Sequence, residues 1–283
     1  MTISLPPRET IRDDVARALA EDVGGGDLTA GLVPASGVAE GQVVAREAAV
    51  LCGTAWFDEV FRQLDRGVGV RWLCSDGEAV EPGAVVCRIQ GPSRAVLTGE
   101  RTALNFLQFL SGTATTARRY ADAVAGTGVQ LLDTRKTVPG LRAAQKYAVR
   151  AGGGSNHRFG LFDAYLIKEN HIAACGGLTP AVEVARLRAA GTPITVEIED
   201  LVQLDEAIAA GADVVMLDNF DADGIRQAVD RAAGRVALEV SGGLDLDAVR
   251  ALAATGVDRI SVGALTKHVH ALDLSLRLTI PSG

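Results

Sequence analysis

Aromatic residues are scarce in this chain. Phenylalanine, tryptophan and tyrosine make up 4% of its 283 residues, and the formal net charge is −7. A single-stranded nucleic-acid binder needs aromatic stacking platforms and a basic groove, so no nucleic-acid partner is expected. The same acidic balance argues against an anionic membrane surface. Cysteine is sparse and scattered: Cys52, Cys74, Cys87 and Cys175 form no C-x-x-C pair and have no histidine at ligand spacing. Structural zinc is therefore not expected, and the thiols read as reduced and buried. His268 and His270 stand two apart, on different faces of a helix, which makes no metal clamp. No apolar run reaches transmembrane length, and the opening MTISLPPRET lacks the apolar centre of a signal peptide, so the expected location is the cytoplasm. Neither a Walker loop nor a G-x-G-x-x-G fingerprint is present.

Hydrophobic residues at 48% and charged residues at 22% describe a globular protein, and the length allows one large domain or two ordinary ones. Charge is unevenly spread. Between Asp133 and Asn170 seven cations (Arg135, Lys136, Arg142, Lys146, Arg150, Arg158, Lys168) face three acids (Asp133, Asp163, Glu169), a local +4 that leaves −11 for the remainder. A basic island in an acidic protein suits a small polyanion; the bland alternative is a solvated helix face. Gly152, Gly153 and Gly154, running into Asn156, His157 and Arg158, favour the first reading, because backbone freedom sits beside hydrogen-bond donors.

In chain order, residues 8–22 carry Ile11, Val15, Ala18 and Leu19 at helical spacing and stop at the Gly24-Gly25-Gly26 loop. Extended patterns at 38–52, 68–73 and 85–89 surround a helical segment with Trp56, Phe57, Val60, Phe61 and Leu64, which predicts a small α+β layer. Residues 94–125 predict a long helix broken near Ser111-Gly112, and the domain boundary is placed there. Arg101 lies in this helix among Leu97, Leu104, Phe106, Leu107 and Leu110; spacing alone reads it as an exposed helix arginine.

Beyond residue 125 apolar strands alternate with helices at 129–133, 164–168, 194–198, 214–217, 236–240 and 259–263. Their spacing is short for doubly wound units and suits an incomplete (β/α) barrel. The expected organisation is α/β: an N-terminal α+β sandwich domain over 1–112, a catalytic barrel over 113–267, and a final helix at about 268–283 packing back on the first domain.

Parallel barrels gather chemistry at the carboxyl ends of their strands, and here those ends are polar throughout. They bear Asp133 to Lys136, Lys168 to His171, Glu197 with Glu199, Asp218-Asn219, and Glu239 leading to Ser241-Gly242-Gly243. Ser241, Gly242 and Gly243 before a helix, and Val262, Gly263 and Ala264 after the last strand, match the late phosphate loops of barrels. Glu197 and Asp218 are candidates to share Mg²⁺ directly or through water, a salt bridge of Glu197 to Lys168 or Arg135 being the alternative.

The segments DTRKTVPGLRAAQKYAVRAGGGSNHR, LIKENH, VEIE, LDNF, EVSGGL and SVGAL, in this order, resemble the quinolinate phosphoribosyltransferase family. The GGGDLT segment and GERTALNFLQFLSGTAT extend the resemblance over nearly the whole chain. The resemblance implies a seven-stranded incomplete barrel and a homodimer whose sites each borrow Arg101 from the partner. It implies that quinolinate and phosphoribosyl pyrophosphate give nicotinate mononucleotide, pyrophosphate and CO₂, with Mg²⁺. By motif match, Arg135, Lys136, His157, Arg158 and Lys168 would line the quinolinate side, with Thr134 in the same loop. Glu197 and Asp218 would hold ribose and metal, and the two glycine loops would hold phosphate. Catalytic weight falls on Lys136, Lys168, Glu197 and Asp218. Ala30 and Glu199 are conservative departures from the family pattern, and Lys267-His268 receives no role. The rivals are a paralogous phosphoribosyltransferase acting on another base, which would leave the cation set unpaired, and a non-catalytic sensor of anionic metabolites.

Overall fold

The computed structural model describes residues 3–279. They fall into two compact units, the first comprising residues 3–118, Thr137–Gly153 and residues 268–279, the second Arg119–Lys136 and Gly154–Lys267. In this division the chain returns to the first unit twice.

In the first unit, helix α1 (Arg8–Asp22) buries Ile11, Val15 and Leu19. Strands β1 (Val38–Ala45) and β2 (Ala49–Val50) follow, then α2 (Thr54–Leu64), whose Trp56, Phe57, Val60 and Phe61 are buried. Strands β3 (Gly69–Trp72), β4 (Ala79–Val80) and β5 (Val85–Pro92) lead into α3 (Ser93–Ala123). Each fully buried large side chain of this core stabilises by roughly 1.5–3 kcal/mol relative to exposure.

Helix α3 is continuous over 31 residues, where the sequence predicts a break at Ser111-Gly112. Both residues serve close packing. The Ser111 hydroxyl accepts the Cys52 N–H at 2.9 Å and donates to the Cys52 carbonyl at 3.1 Å. A Cβ on Gly112 would lie 2.0 Å from the His270 carbonyl oxygen, so only glycine lets the returning chain approach the helix. Gly152 has the same use, since its Cβ would fall 2.3 Å from the Ala114 carbonyl.

The second unit holds six parallel strands. They are β6 (Gln130–Leu132), β7 (Tyr165–Ile167), β8 (Ile194–Ile198), β9 (Val214–Leu217), β10 (Ala237–Gly242) and β11 (Arg259–Val262). The order across the sheet is β6-β11-β10-β9-β8-β7. Helix α4 (Arg142–Ala151) lies within the first unit; α5 (Glu169–Cys175), α6 (Leu178–Arg188), α7 (Leu201–Ala209), α8 (Ala222–Ala232), α9 (Leu246–Ala253) and α10 (Ala264–Lys267) belong to the second. All of β9 is buried, as expected of a strand covered on both faces. Asp200, Asp221 and Asp245 each accept backbone N–H bonds at the N-termini of α7, α8 and α9, worth about 1 kcal/mol apiece. The seventh strand implied by the resemblance is reduced, among the described residues, to one parallel bridge between Leu132 and Ser155.

The described residues end in a strand where a helix is expected at 268–283. Strand β12 (Leu274–Thr279) pairs antiparallel with β1, from Glu40 opposite Thr279 to Ala45 opposite Leu274. It completes the sheet β12-β1-β5-β3. Leu274, Leu276 and Leu278 repeat every second residue, the strand period, and the edge of β1 supplies the hydrogen-bond partners that an isolated sequence cannot reveal. Residues 280–283 of the expected helix lie outside the described residues.

Candidate active site

Strand register decides which polar groups share a face, because paired residues of a parallel sheet point to the same side. Glu197 pairs with Met216, Met216 with Glu239, and Glu239 with Arg259. Two residues further along, Asp218 follows Met216, and Ser241 pairs with Ser261 on the same face. Lys168 comes immediately after Ile167, the partner of Val196, and so falls beside Glu197. Its Nζ lies 2.6 Å from Glu197 Oε2, with the lysine about half exposed. Of the alternatives open for Glu197, the structure contains the ion pair with Lys168.

The Thr134–Lys136 loop leaves the end of β6. Thr134 Oγ1 accepts the Lys136 N–H at 3.0 Å, and the Thr266 hydroxyl of α10 donates to the Lys136 carbonyl at 2.8 Å. A Cβ on Gly263 would stand 2.8 Å from Lys136 Cδ, so the bare glycine makes room for this side chain. Gly263 thereby has a use besides backbone access to an anion. Around Gly242 and Gly243 nothing lies within 4 Å of the Cβ position, which leaves that backbone open. Gly242 has φ +153°, a conformation that disfavours any side chain.

One guanidinium here feels the charge of another. Burial pushes Arg158 below the usual arginine range, the Arg135 charge pushes the same way, and Asp163 opposes both. The Arg135 Nε is buried with no hydrogen-bond partner among the described residues, while Arg158 Nη1 donates to the Ala164 carbonyl at 3.1 Å. Cations held against burial and against each other make a strong locus for an anion, and for carboxylates in particular because guanidinium forks match them.

Below Arg158 lies a support that sequence reasoning left out of the candidate set. Asp133, fully buried, accepts the Asn156 side-chain amide at 2.7 Å and the His157 backbone N–H at 2.8 Å. The signal was an acid closing an apolar strand, read only as a strand end. His157 Nδ1 accepts the Arg158 backbone N–H at 2.7 Å, and its Nε2 stands 3.3 Å from a carboxylate oxygen of the buried Glu239.

Three further cations of the basic island fall in the other unit. Arg142, Lys146 and Arg150 lie on α4 in the first unit. There Arg142 donates to Thr137 at 3.1 Å, Arg150 to the Ser4 carbonyl at 2.6 Å, and Lys146 is buried. Arg101, also in the first unit, is exposed on α3 and has no ion pair among the described residues. A cavity of about 210 Å³ opens beside Glu197, Glu199 and Gln203. A larger one, about 800 Å³, lies on the first unit's sheet against Arg71, Arg88 and Gln90 and contains none of the candidate residues. Among the described residues no group of three or more His, Cys, Asp or Glu side chains gathers to hold a metal, and no helix is long and apolar enough to cross a membrane.

Comparison with known proteins gives a consistent family. The model of the quinolinate phosphoribosyl transferase N-terminal domain matches residues 27–111, and that of the C-terminal domain matches residues 113–277. A Bacillus subtilis protein named probable nicotinate-nucleotide pyrophosphorylase (carboxylating) is 45% identical, over 92% of this chain and 90% of its own length. The Mycobacterium leprae nicotinate-nucleotide pyrophosphorylase (carboxylating) is 44% identical, over 95% of this chain and 98% of its own. Among solved structures, the nicotinate-nucleotide pyrophosphorylase of Francisella tularensis superposes with a TM-score of 0.93 at 47% identity, covering 99% of both chains.

Proposed function

Because this chain belongs to the quinolinate phosphoribosyltransferase family, we propose that it joins quinolinate to the ribosyl carbon of phosphoribosyl pyrophosphate, releasing pyrophosphate and CO₂ and leaving nicotinate mononucleotide for NAD synthesis. The observation that carries this reading is the buried Arg135 Nε, left without a hydrogen-bond partner among the described residues, with the half-buried Arg158 close enough to feel its charge. A substrate with two adjacent carboxylates relieves two such cations at once, where a base without carboxylates leaves them unsatisfied. Lys136, fixed through its backbone by Thr134 and Thr266, adds a third cation on the same loop.

The pyridine nitrogen attacks the ribosyl carbon as its bond to pyrophosphate breaks. The protein's work is to orient the two reactants and to meet the charge that moves, which requires no covalent intermediate on a side chain. The open backbones at Gly242 and Gly243, with Ser241 and the Val262–Ala264 segment, suit phosphate oxygens. Once the nitrogen is alkylated, the positively charged ring accepts the electron pair left by departing CO₂, so decarboxylation follows transfer.

Mg²⁺ fits the donor set. Glu197 and Asp218 are oxygen donors on one face of adjacent strands, and a pair of carboxylates suits an ion that keeps water and substrate oxygens as its other ligands. When bound, it supplies charge neutralisation of the pyrophosphate. Lys168 keeps Glu197 compensated in the free protein through their 2.6 Å contact.

The working unit is a homodimer in which Arg101 of the partner subunit completes the quinolinate side. Its exposure and lack of an ion pair support this, as do the exposed Phe159, Leu161 and Phe162 just after Arg158, an apolar patch suited to a protein neighbour. The test is product analysis with phosphoribosyl pyrophosphate and Mg²⁺, offering quinolinate in one reaction and nicotinate in another. Mononucleotide and CO₂ from quinolinate alone are expected; turnover of nicotinate, or of neither, refutes the two-carboxylate reading.

A further inference from the structure

Glu239 sits on β10 between the buried Leu238 and Val240, is 1% exposed, and has no hydrogen-bond partner for either carboxylate oxygen among the described residues. Such a group is costly to keep, by roughly 1–3 kcal/mol or more for a charged acceptor, so its retention calls for a reason. His157 Nε2 stands 3.3 Å away without the alignment of a regular hydrogen bond. On the other side of the same ring, Nδ1 accepts the Arg158 backbone N–H at 2.7 Å. A nitrogen that accepts cannot also carry the proton, which places the ring proton on Nε2, toward Glu239.

From this geometry we infer that Glu239 is a positioning residue for the dicarboxylate half of the site, acting through His157 on Arg158. The inference rests on the proposed reaction for its substrate but not for its geometry. The carboxylate selects the Nε2–H form of His157, and that form alone leaves Nδ1 free to accept the Arg158 amide. With its backbone N–H tied to Nδ1 and its Nη1 tied to the Ala164 carbonyl, Arg158 is fixed at both ends and cannot swing away from Arg135. Asp133 accepts the His157 backbone N–H, so the Asn156–Arg158 segment rests on two buried acids. His157 then contributes orientation, a different duty from the cationic contact that its place among the basic residues suggests. A structural staple would have the same contacts but no preference between the substrates.

The test compares Glu239→Gln, which keeps size and removes charge, with Glu239→Leu. Nitrogen-15 NMR of the imidazole rings reads the tautomer of His157 directly, in a chain with only 4 histidines. The wild-type ring is expected as Nε2–H and each variant as a tautomer mixture. The Michaelis constant for quinolinate should rise about tenfold or more in Glu239→Gln, as for the loss of other residues that orient a ligand-binding group, with that for phosphoribosyl pyrophosphate within about twofold. A wild-type ring protonated on Nδ1 overturns the inference, as does Glu239→Gln with unchanged ring signals and an unchanged ratio of the two constants. If the protein turns over no quinolinate, the reaction assignment fails, while the ring signals still decide the role of Glu239.

Discussion

Replacing Gly263 by alanine tests the site through a contact that the substrate never makes. The added Cβ would lie 2.8 Å from Lys136 Cδ, against about 3.6 Å for a comfortable carbon–carbon contact, so one partner must yield by roughly 0.8 Å. The Lys136 backbone is not free to do so, held by Thr134 at 3.0 Å and Thr266 at 2.8 Å. Its exposed side chain is, and swings toward solvent. Stability should therefore change by less than about 1 kcal/mol, below the usual cost of overpacking a core. The ammonium, however, is carried off by a distance of the order that costs an enzyme about a hundredfold, or ~2.7 kcal/mol of transition-state stabilisation. The assay is kcat/KM for quinolinate alongside a thermal melt: a loss of about ten- to a hundredfold with an unchanged Tm is expected. Wild-type kcat/KM in Gly263→Ala would refute both the placement of Lys136 and its share in the chemistry.

Gly112→Ala is the opposite case, because its Cβ meets a backbone carbonyl at 2.0 Å and no side chain can move aside; about 3 kcal/mol of destabilisation should appear in denaturant unfolding, and a loss below ~1 kcal/mol would contradict the packing. Mixing inactive Arg101→Ala subunits with inactive Lys168→Ala subunits should restore part of the activity, since one site of the hybrid keeps both residues; no recovery despite proven exchange would count against the shared site. Thiol chemistry should follow burial. Burial raises the Cys87 thiol to about 12 and also raises buried Cys52, so at pH 8 both stay protonated and unreactive while exposed Cys175 reacts first. Rapid labelling of Cys87 in the native protein would show that the core of the first unit opens.

The positions of the polar strand ends were legible in the sequence, because strands of a parallel sheet repeat at short intervals and their polar carboxyl ends interrupt apolar runs. VVML is an uninterrupted buried strand, and Asp200, Asp221 and Asp245 stand where helix caps belong. These are local properties, set by backbone geometry and by the residues a few places away. What escaped depends on a distant neighbour. Ser111-Gly112 looks like a helix break until the Cys52 backbone and the His270 carbonyl are seen against it. Leu274–Thr279 has enough apolar residues for either period, and only the free edge of β1 makes it a strand.

The cation run from Arg135 to Lys168 divides for the same reason. Sequence alone determined that this acidic chain concentrates positive charge and glycine in one segment and acids at strand ends, since composition and short-range spacing are written directly in it. Only the tertiary structure decided that Arg142, Lys146 and Arg150 belong to the first unit, that the Arg135 charge bears on Arg158, and that Glu239 lies against His157. Those relations join residues from different strands and loops. Burial fixes them: a charge removed from water must find a partner wherever the fold brings one.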